Sequence, residues 1–428
     1  MKHNTGIHPR VSTRRYTLQT NDISVQSKER EKIQREITVR GLCGLENLGN
    51  TCYINSILQC INNLPIFSAY IRKRLYMNQL EHNKLDPDKT ITDNLSKLFT
   101  NMFIENKILV PKTIKILSGI KCDIFSGFDQ NDSHEYLNFI LDQIHTDIRY
   151  PIKDIRYNNI RSSVADYIVL HKKIRTIMLD HNISDQDKIH AQNEFNRYID
   201  EHKNDVVIAH SYMYWSNYIR VNHNSVINDL FTGLFHSTVK CLECNNISHN
   251  FEPFNVISVE IDNTNGDTLD SCITSFIKEE QLTDHNMYMC DVCNKKVNAI
   301  KSINIWDAPE YLIIHIKRFN KKYSNGLVSI NKNNKLIKFP INDFNIDKYT
   351  DYIQVDYNSK NNINYDLCGI SKHYGSYNSG HYTAQCRSII NKKWYNYDDQ
   401  NVRAIKDDMI EQELVTKEAY ILFYSRKH

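Results

Sequence analysis

The stretch "LENLGNTCYINSILQC", Leu45 to Cys60, sets a cysteine at the mouth of an apolar pattern. After Thr51, Ile54, Ile57, Leu58 and Ile61 fall at i, i+3, i+4 and i+7, the spacing of one helical face. Asn50 or Thr51 is placed to cap that helix, and Pro65 stands just past its end. Cys52 then sits in the first turn. There the unsatisfied N–H groups and the helix dipole favour negative charge, and so favour a thiolate. A cysteine in such a place is more often a small buried hydrophobe, so the pattern alone leaves both readings open. Cys43 and Cys60 read as packing residues. Asn47, five residues ahead of Cys52 in a turn loosened by Gly49, either supports the turn or offers its amide to a developing oxyanion.

The 428-residue chain is too long for one hydrophobic core, which points to a large multi-lobed domain or several subdomains. Its charge is nearly balanced, with 53 basic against 50 acidic residues, and argues neither for nor against nucleic acid as the partner. No run approaches the ~18 apolar residues of a membrane span, and no apolar signal segment opens the chain. Residues 1–40 carry nine Lys/Arg against four Asp/Glu. They read as a flexible basic tail with at most a weak helix around Ser27–Ile37, a docking arm being the alternative. Eleven cysteines without a secretory signal speak for reduced thiols, a metal site or a catalytic thiol rather than disulfides.

A second helix is expected after "FSGFDQNDSHEYLNFILDQIH". Leu137, Ile140, Leu141 and Ile144 repeat the helical spacing, and Asp132 with Glu135 has the form of a capping box. Residues 151–212 are charged and helical in pattern, with a start at Ser184, and read as a separate insertion. From about Asn228 the chain turns β-rich, in "HSTVK", "FNVISVEI", "YLIIHIKRF" and "HYTAQCRS". The last of these and the strand ending "WYNYDD" form a hairpin whose turn is expected near Ile389–Ile390. His381 and Asp398 are equidistant from that turn, so antiparallel pairing makes them neighbours, to within a slip of about two residues. A carboxylate beside an imidazole fixes its tautomer and stabilises its charged form. The preceding "YGSYNSG" reads as a flexible loop able to gate access.

"CLEC" and "CDVC" place Cys241, Cys244, Cys290 and Cys293 in two pairs 45 residues apart. That spacing suits one structural zinc ion with four cysteine ligands, a closed site that does no chemistry. The surroundings carry no basic-aromatic stripe, so direct nucleic-acid binding is not expected.

Five segments in order, "GLENLGNTCYINSILQCINNLP", "GFDQNDSHEYLNFILDQIH", "LFTGLFHSTVKCLECNNISHNFEPF", "PEYLIIHIKRF" and "GSYNSGHYTA…WYNYDD", resemble the ubiquitin-specific proteases, a family of deubiquitinating cysteine proteases. The resemblance covers about residues 41–426. It implies an α+β, papain-like fold with a helical thumb, a β-sheet palm and zinc-ribbon fingers. The thumb is expected over about 41–150, the insertion over about 151–212, and fingers and palm over about 213–428. It implies Cys52 as nucleophile, His381 as general base, Asp398 as its orienter and Asn47 as an oxyanion donor. Asp399 adjoins the third position and is placed to assist or substitute. Asp132 and Glu135 match acidic positions that contact the basic tail of ubiquitin, a role that competes with the capping box. Gly380 and Tyr382 match the narrow channel for the tail's final glycines. The implied activity is thiol-dependent hydrolysis after the C-terminal glycine of ubiquitin, with ubiquitin and ubiquitinated proteins as partners. No catalytic cofactor and a cytoplasmic or nuclear setting are expected. A protease for a ubiquitin-like modifier and a non-catalytic ubiquitin-binding scaffold are the alternatives. The 151–212 segment has no counterpart in the minimal family core.

Overall fold

In the computed structural model the described residues are 41–152, 160–261, 266–324, 327–351, 353, 362–376 and 379–428. The expected N-terminal tail and the middle of the expected gating loop, residues 377–378, lie outside them.

The first lobe is helical. It holds α1 (Cys52–Asn62), α2 (Pro65–Arg72), α3 (Ile91–Ile104), α4 (Lys112–Lys121) and α5 (Ser133–Ile148). Every residue of α1 is buried, because it is sandwiched between helices and sheet. Its apolar face, with Ile54, Ile57, Leu58 and Ile61, joins the core shared with Leu137, Ile140, Leu141 and Ile144 of α5. Its polar face is satisfied by specific partners: Gln59 Nε2 donates to the Cys43 carbonyl (2.8 Å), and Ser56 Oγ accepts from Ser371 Oγ (3.1 Å). Cys43 and Cys60 pack as expected, the latter with its sulfur 3.9 Å from that of Cys386.

The start of α1 departs from expectation. Thr51 stands at the N-cap, yet its side chain caps nothing. Its hydroxyl turns back to accept from the Leu48 N–H (2.8 Å) and to donate to Asn47 Oδ1 (3.3 Å). Asn50 is also diverted, its Nδ2 donating to the Phe128 carbonyl (2.8 Å). At α5 the cap is Asp132, but its Oδ1 accepts from the His134 N–H (2.6 Å), one residue short of the amide a capping box uses.

Three further helices follow: α6 (Ser162–Leu179), α7 (Asp185–Glu201) and α8 (Lys203–Asn222). The Ser184 hydroxyl caps α7 through the Asp187 N–H. Val164 and Tyr167 of α6 share a core with Tyr212 and Trp215 of α8, and that core reaches Phe251 and Trp306 of the sheet region. The helix α8 runs straight through residue 212. No helix among the described residues is long and apolar enough to cross a membrane.

The strands are β1 (Gly233–Cys241), β2 (Ile247–Phe254), β3 (Val256–Glu260), β4 (Glu280–Leu282), β5 (Tyr288–Cys290), β6 (Lys295–Val297), β7 (Ala299–Asp307), β8 (Tyr311–Lys317), β9 (Phe319–Ser324), β10 (Leu327–Lys332), β11 (Phe344–Asn345), β12 (Asn364–Gly375), β13 (Gly380–Arg387), β14 (Trp394–Asp398), β15 (Asn401–Ala404) and β16 (Ala419–Arg426). A four-stranded sheet, β2-β1-β7-β4, forms the fingers, with β5 and β6 paired at the tip. The palm is ordered β15-β14-β13-β12-β16-β8-β3, with β11 added to β12. It is antiparallel apart from the β3–β8 pair. The helix α1 lies on β12 and β13, which sets the thumb cysteine against the palm histidine.

The β13–β14 hairpin differs in register from the expectation. Ala384 faces Tyr397 and Arg387 faces Trp394, so the turn centres between Ile390 and Asn391, one residue later. The loop sets this: the Ser388 N–H donates to the Lys393 carbonyl, the Lys392 N–H donates to that of Ser388, and Lys392 takes φ +63°. Extending the ladder puts Thr383, not His381, level with Asp398. Residues 381 and 383 share a face of the strand, so the contact survives the slip.

Candidate active site

The uncapped start of α1 and the first residues of β13 meet across the lobes. His381 Nε2 lies 2.6 Å from Asp398 Oδ1. The ring's other nitrogen is left for Cys52, whose hydrogen bond is the largest influence on the histidine. Together with Asp398 that bond outweighs partial burial and raises the His381 pKa to about 9. The imidazole therefore holds its proton at neutral pH, between a sulfur and a carboxylate.

Asn47 and Asp399 bond to each other beside this pair. Asn47 Oδ1 accepts from the N–H groups of Gly49 and Thr51, both at 3.0 Å, which closes the turn ahead of Cys52. Asn47 Nδ2 donates to Asp399 Oδ2 (2.8 Å), so one of its two hydrogens is committed. Asp399 Oδ1 accepts from Nδ2 of the buried Asn55 (2.8 Å), and the Asp399 carbonyl accepts from the Leu45 N–H. Asp399 holds this position at φ +48°, a conformation that asparagine and aspartate tolerate better than most residues. It thus ties the palm hairpin to the thumb loop and α1, while Asp398 is the carboxylate bonded to His381.

Next to the pair is a cavity of about 640 Å³ lined by Asp129, Asp132, Glu135, His315, His373 and Tyr382, among others. Asp132 is already engaged twice, since Oδ2 accepts from the Tyr420 hydroxyl (2.5 Å). The Gly380 N–H donates to Gln130 Oε1 (2.9 Å), which bridges palm and thumb at the cavity. A Cβ on Gly380 would fall 2.0 Å from His373 Nε2, so only glycine leaves room for that ring. Burial drives the His315 pKa down to about 2 and that of His373 to about 3, so both line the cavity uncharged. His315 also stacks on His134, with ring centroids 3.9 Å apart. Sequence reading missed Gln130, His134, His315 and His373. With 18 histidines in the chain, only the topology separates these from the rest.

At the fingertip the four expected cysteines converge. The sulfurs of Cys241 and Cys293 are 3.9 Å apart and those of Cys244 and Cys290 3.7 Å apart, and all four lie within 4.8 Å of one another. A tetrahedral zinc with Zn–S bonds of ~2.3 Å spaces its sulfurs by about 3.8 Å, so the donor set fits that ion and no disulfide is formed. The N–H groups of Cys244 and Glu243 both point at the Cys241 sulfur, and they bring its pKa down to about 7.

Comparison with known proteins places the chain in a family. The family model "Ubiquitin carboxyl-terminal hydrolase" matches residues 43–424. "Ubiquitin carboxyl-terminal hydrolase Usp2" of Drosophila melanogaster is 30% identical over 395 residues, which are 92% of this chain and 36% of that protein. "Ubiquitin carboxyl-terminal hydrolase 2" of Homo sapiens is 28% identical, over 90% of this chain and 55% of its own length. The chain thus spans about a third to a half of these relatives. The "Probable ubiquitin carboxyl-terminal hydrolase R319" of Acanthamoeba polyphaga mimivirus is 25% identical over 90% of both chains. Among solved structures, the SAGA Ubp8/Sgf11/Sus1/Sgf73 DUB module bound to ubiquitin aldehyde matches with TM-score 0.64 and 24% identity, over 96% of this chain and 76% of that one. That likeness bears on the fold, which is the α+β arrangement of thumb, palm and fingers.

Proposed function

Since the chain belongs to the ubiquitin carboxyl-terminal hydrolase family, we propose that it is a thiol-dependent deubiquitinase acting through Cys52, His381 and Asp398. The observation that carries this reading is His381 itself, held at 2.6 Å by Asp398 and hydrogen-bonded to Cys52 at the uncapped start of α1. The carboxyl end of ubiquitin lies in the cavity beside the pair, its basic residues facing Asp132 and Glu135 and its final glycines passing Gly380 and Tyr382. The Cys52 thiolate attacks the terminal glycine carbonyl. The second Asn47 Nδ2 hydrogen and a free N–H of the first turn of α1 take the oxyanion. His381 gives its proton to the leaving amine as the tetrahedral species collapses to a thioester. It then takes a proton from water, whose oxygen attacks the thioester, and the carboxylate leaves with Cys52 restored as thiolate. Asp398 orients the imidazole, and Asp399 supports the Asn47 turn.

A zinc ion held by Cys241, Cys244, Cys290 and Cys293 would stabilise the fingers and take no part in a chemical step. We assign residues 151–212, a span whose end falls inside α8, as an insertion on the family core and residues 1–40 as a separate tail.

The test is hydrolysis of a ubiquitin–fluorophore conjugate, together with labelling by a ubiquitin probe that ends in an electrophile. Turnover and labelling should both vanish in Cys52→Ala. Turnover that persists removes Cys52 from the mechanism. Binding without labelling of the unaltered chain makes it a scaffold, and preference for a probe built on a ubiquitin relative makes that modifier the substrate.

A further inference from the structure

Seven of the large apolar side chains exposed among the described residues fall in one stretch, between Ile104 and Phe128. Ile108 and Val110 flank Leu109, whose backbone pairs with Gly44 and Glu46, so alternation turns both outward while Leu109 points in. On α4, Ile116 and Ile120 are one turn apart, 50% and 71% exposed, on the side away from the buried Ile114, Leu117 and Ser118. The following loop is fastened to α4: Lys115 Nζ donates to the carbonyls of Phe125 and Gly127, and a Cβ on Gly119 would be 2.8 Å from Ser126 Cα. That fastening holds Ile124 and Phe128 next to the helix. Phe128, 69% exposed, sits over Gly49, where a Cβ would be 3.1 Å from its ring, so the stripe ends at the Cys52 loop.

Its other end is where residues 1–40 join the lobe. The Gly41 N–H donates to the Glu105 carbonyl (3.1 Å), so residue 40 leaves from beside Ile104. Just upstream the sequence carries Ile33 and Ile37, a helical turn apart, and Val39. Reach is no obstacle: an extended segment of ~15 residues spans ~50 Å, whereas the ten residues of α4 measure ~15 Å.

We propose that residues 1–40 fold back along this stripe, with Ile33, Ile37 and Val39 covering its Ile104–Val110 end and the rest running toward Phe128. The occupant is the chain's own tail, because the tail begins at the stripe and offers apolar side chains where it does so.

The test is photo-crosslinking of the full chain, with a benzophenone amino acid replacing Ile108 or Ile120 and, as a control, Val169 of α6, which is 64% exposed. Crosslinked peptides are mapped by mass spectrometry. Crosslinks within one chain to residues 1–40 are expected from both stripe positions, at several-fold the control yield. A tethered tail collides with its own surface even without docking, so the measurement is repeated with Ile33→Asp and Ile37→Asp together, which should cut the yield several-fold. Crosslinks between two chains, no crosslinks to the tail, or a yield unmoved by the aspartates would each overturn the proposal.

Discussion

Asp399→Asn separates the two adjacent carboxylates. Asparagine is the replacement of choice because Asp399 sits at φ +48°, where alanine adds backbone strain. In the native chain Asp399 accepts two amide hydrogen bonds at 2.8 Å, from exposed Asn47 and from buried Asn55. An asparagine can keep only one as acceptor. It will keep Asn55, since water can replace the bond at the exposed position. The Asn47 bond is then lost, and the Asn55 bond loses its charge assistance. At ~1 kcal/mol for each change, the cost is about 1–2 kcal/mol, read as a lower urea midpoint with unchanged slope. The catalytic cost should be larger. With Asn47 no longer tied to the palm its amide is not held for an oxyanion, and kcat should fall by roughly 10- to 100-fold with KM little changed. His381, followed by NMR titration, should move less than in Asp398→Asn, which removes the charge bonded directly to the ring. The reasoning fails if Asp399→Asn lowers the histidine titration further than Asp398→Asn does, or if it leaves kcat at the native value.

The pH profile tests the same histidine. Its pKa is raised to about 9 in the folded chain, so the stability it lends is full below its usual 6.5 and is lost as pH rises through about 9. Activity that needs a proton for the leaving amine should decline over the same alkaline range, and a flat profile to pH 10 would contradict it. Gly380→Ala places a methyl 2.0 Å from His373 Nε2. It should lower kcat/KM on ubiquitin conjugates by ~10-fold or more, and native kinetics would show that the channel is roomier than drawn. Metal analysis should return one zinc per chain, and Cys290→Ser should release it and lower the thermal midpoint. A metal-free native chain of full stability would refute the fingertip assignment.

Much of this was legible in the sequence because it rests on local rules. The helix at Cys52 and the helix at Ser133 follow from apolar spacing, and the fingertip site follows from two C-x-x-C pairs. What was not legible depends on long-range placement. The Asn47–Asp399 and Asn55–Asp399 bonds join residues more than 340 positions apart, and nothing in "NYDD" says that the second aspartate ties back to the thumb loop. The hairpin turn was misplaced by one residue because a loop closed through Lys392 at positive φ has no strong signature in "SIINKK". The cavity histidines 134, 315 and 373 come from a helix and two non-adjacent palm strands, and only the folded sheet makes them neighbours.

The misread cap at α1 is the most informative of these departures. Threonine before a helical run is a good N-cap, and leaving it unused forgoes about 1 kcal/mol. Here both candidates are spent elsewhere, Thr51 on the Asn47 turn and Asn50 on Phe128. The helix tolerates this because all eleven of its residues are buried against thumb and palm. In the proposed mechanism, a capped helix would present a side-chain oxygen where the Cys52 thiolate and the oxyanion call for hydrogen-bond donors. The local rule is broken where satisfying it would compete with the proposed chemistry. The same two diversions fix the Asn47 turn and hold Phe128 against the loop, so what the helix loses as a cap becomes the rigidity of the site.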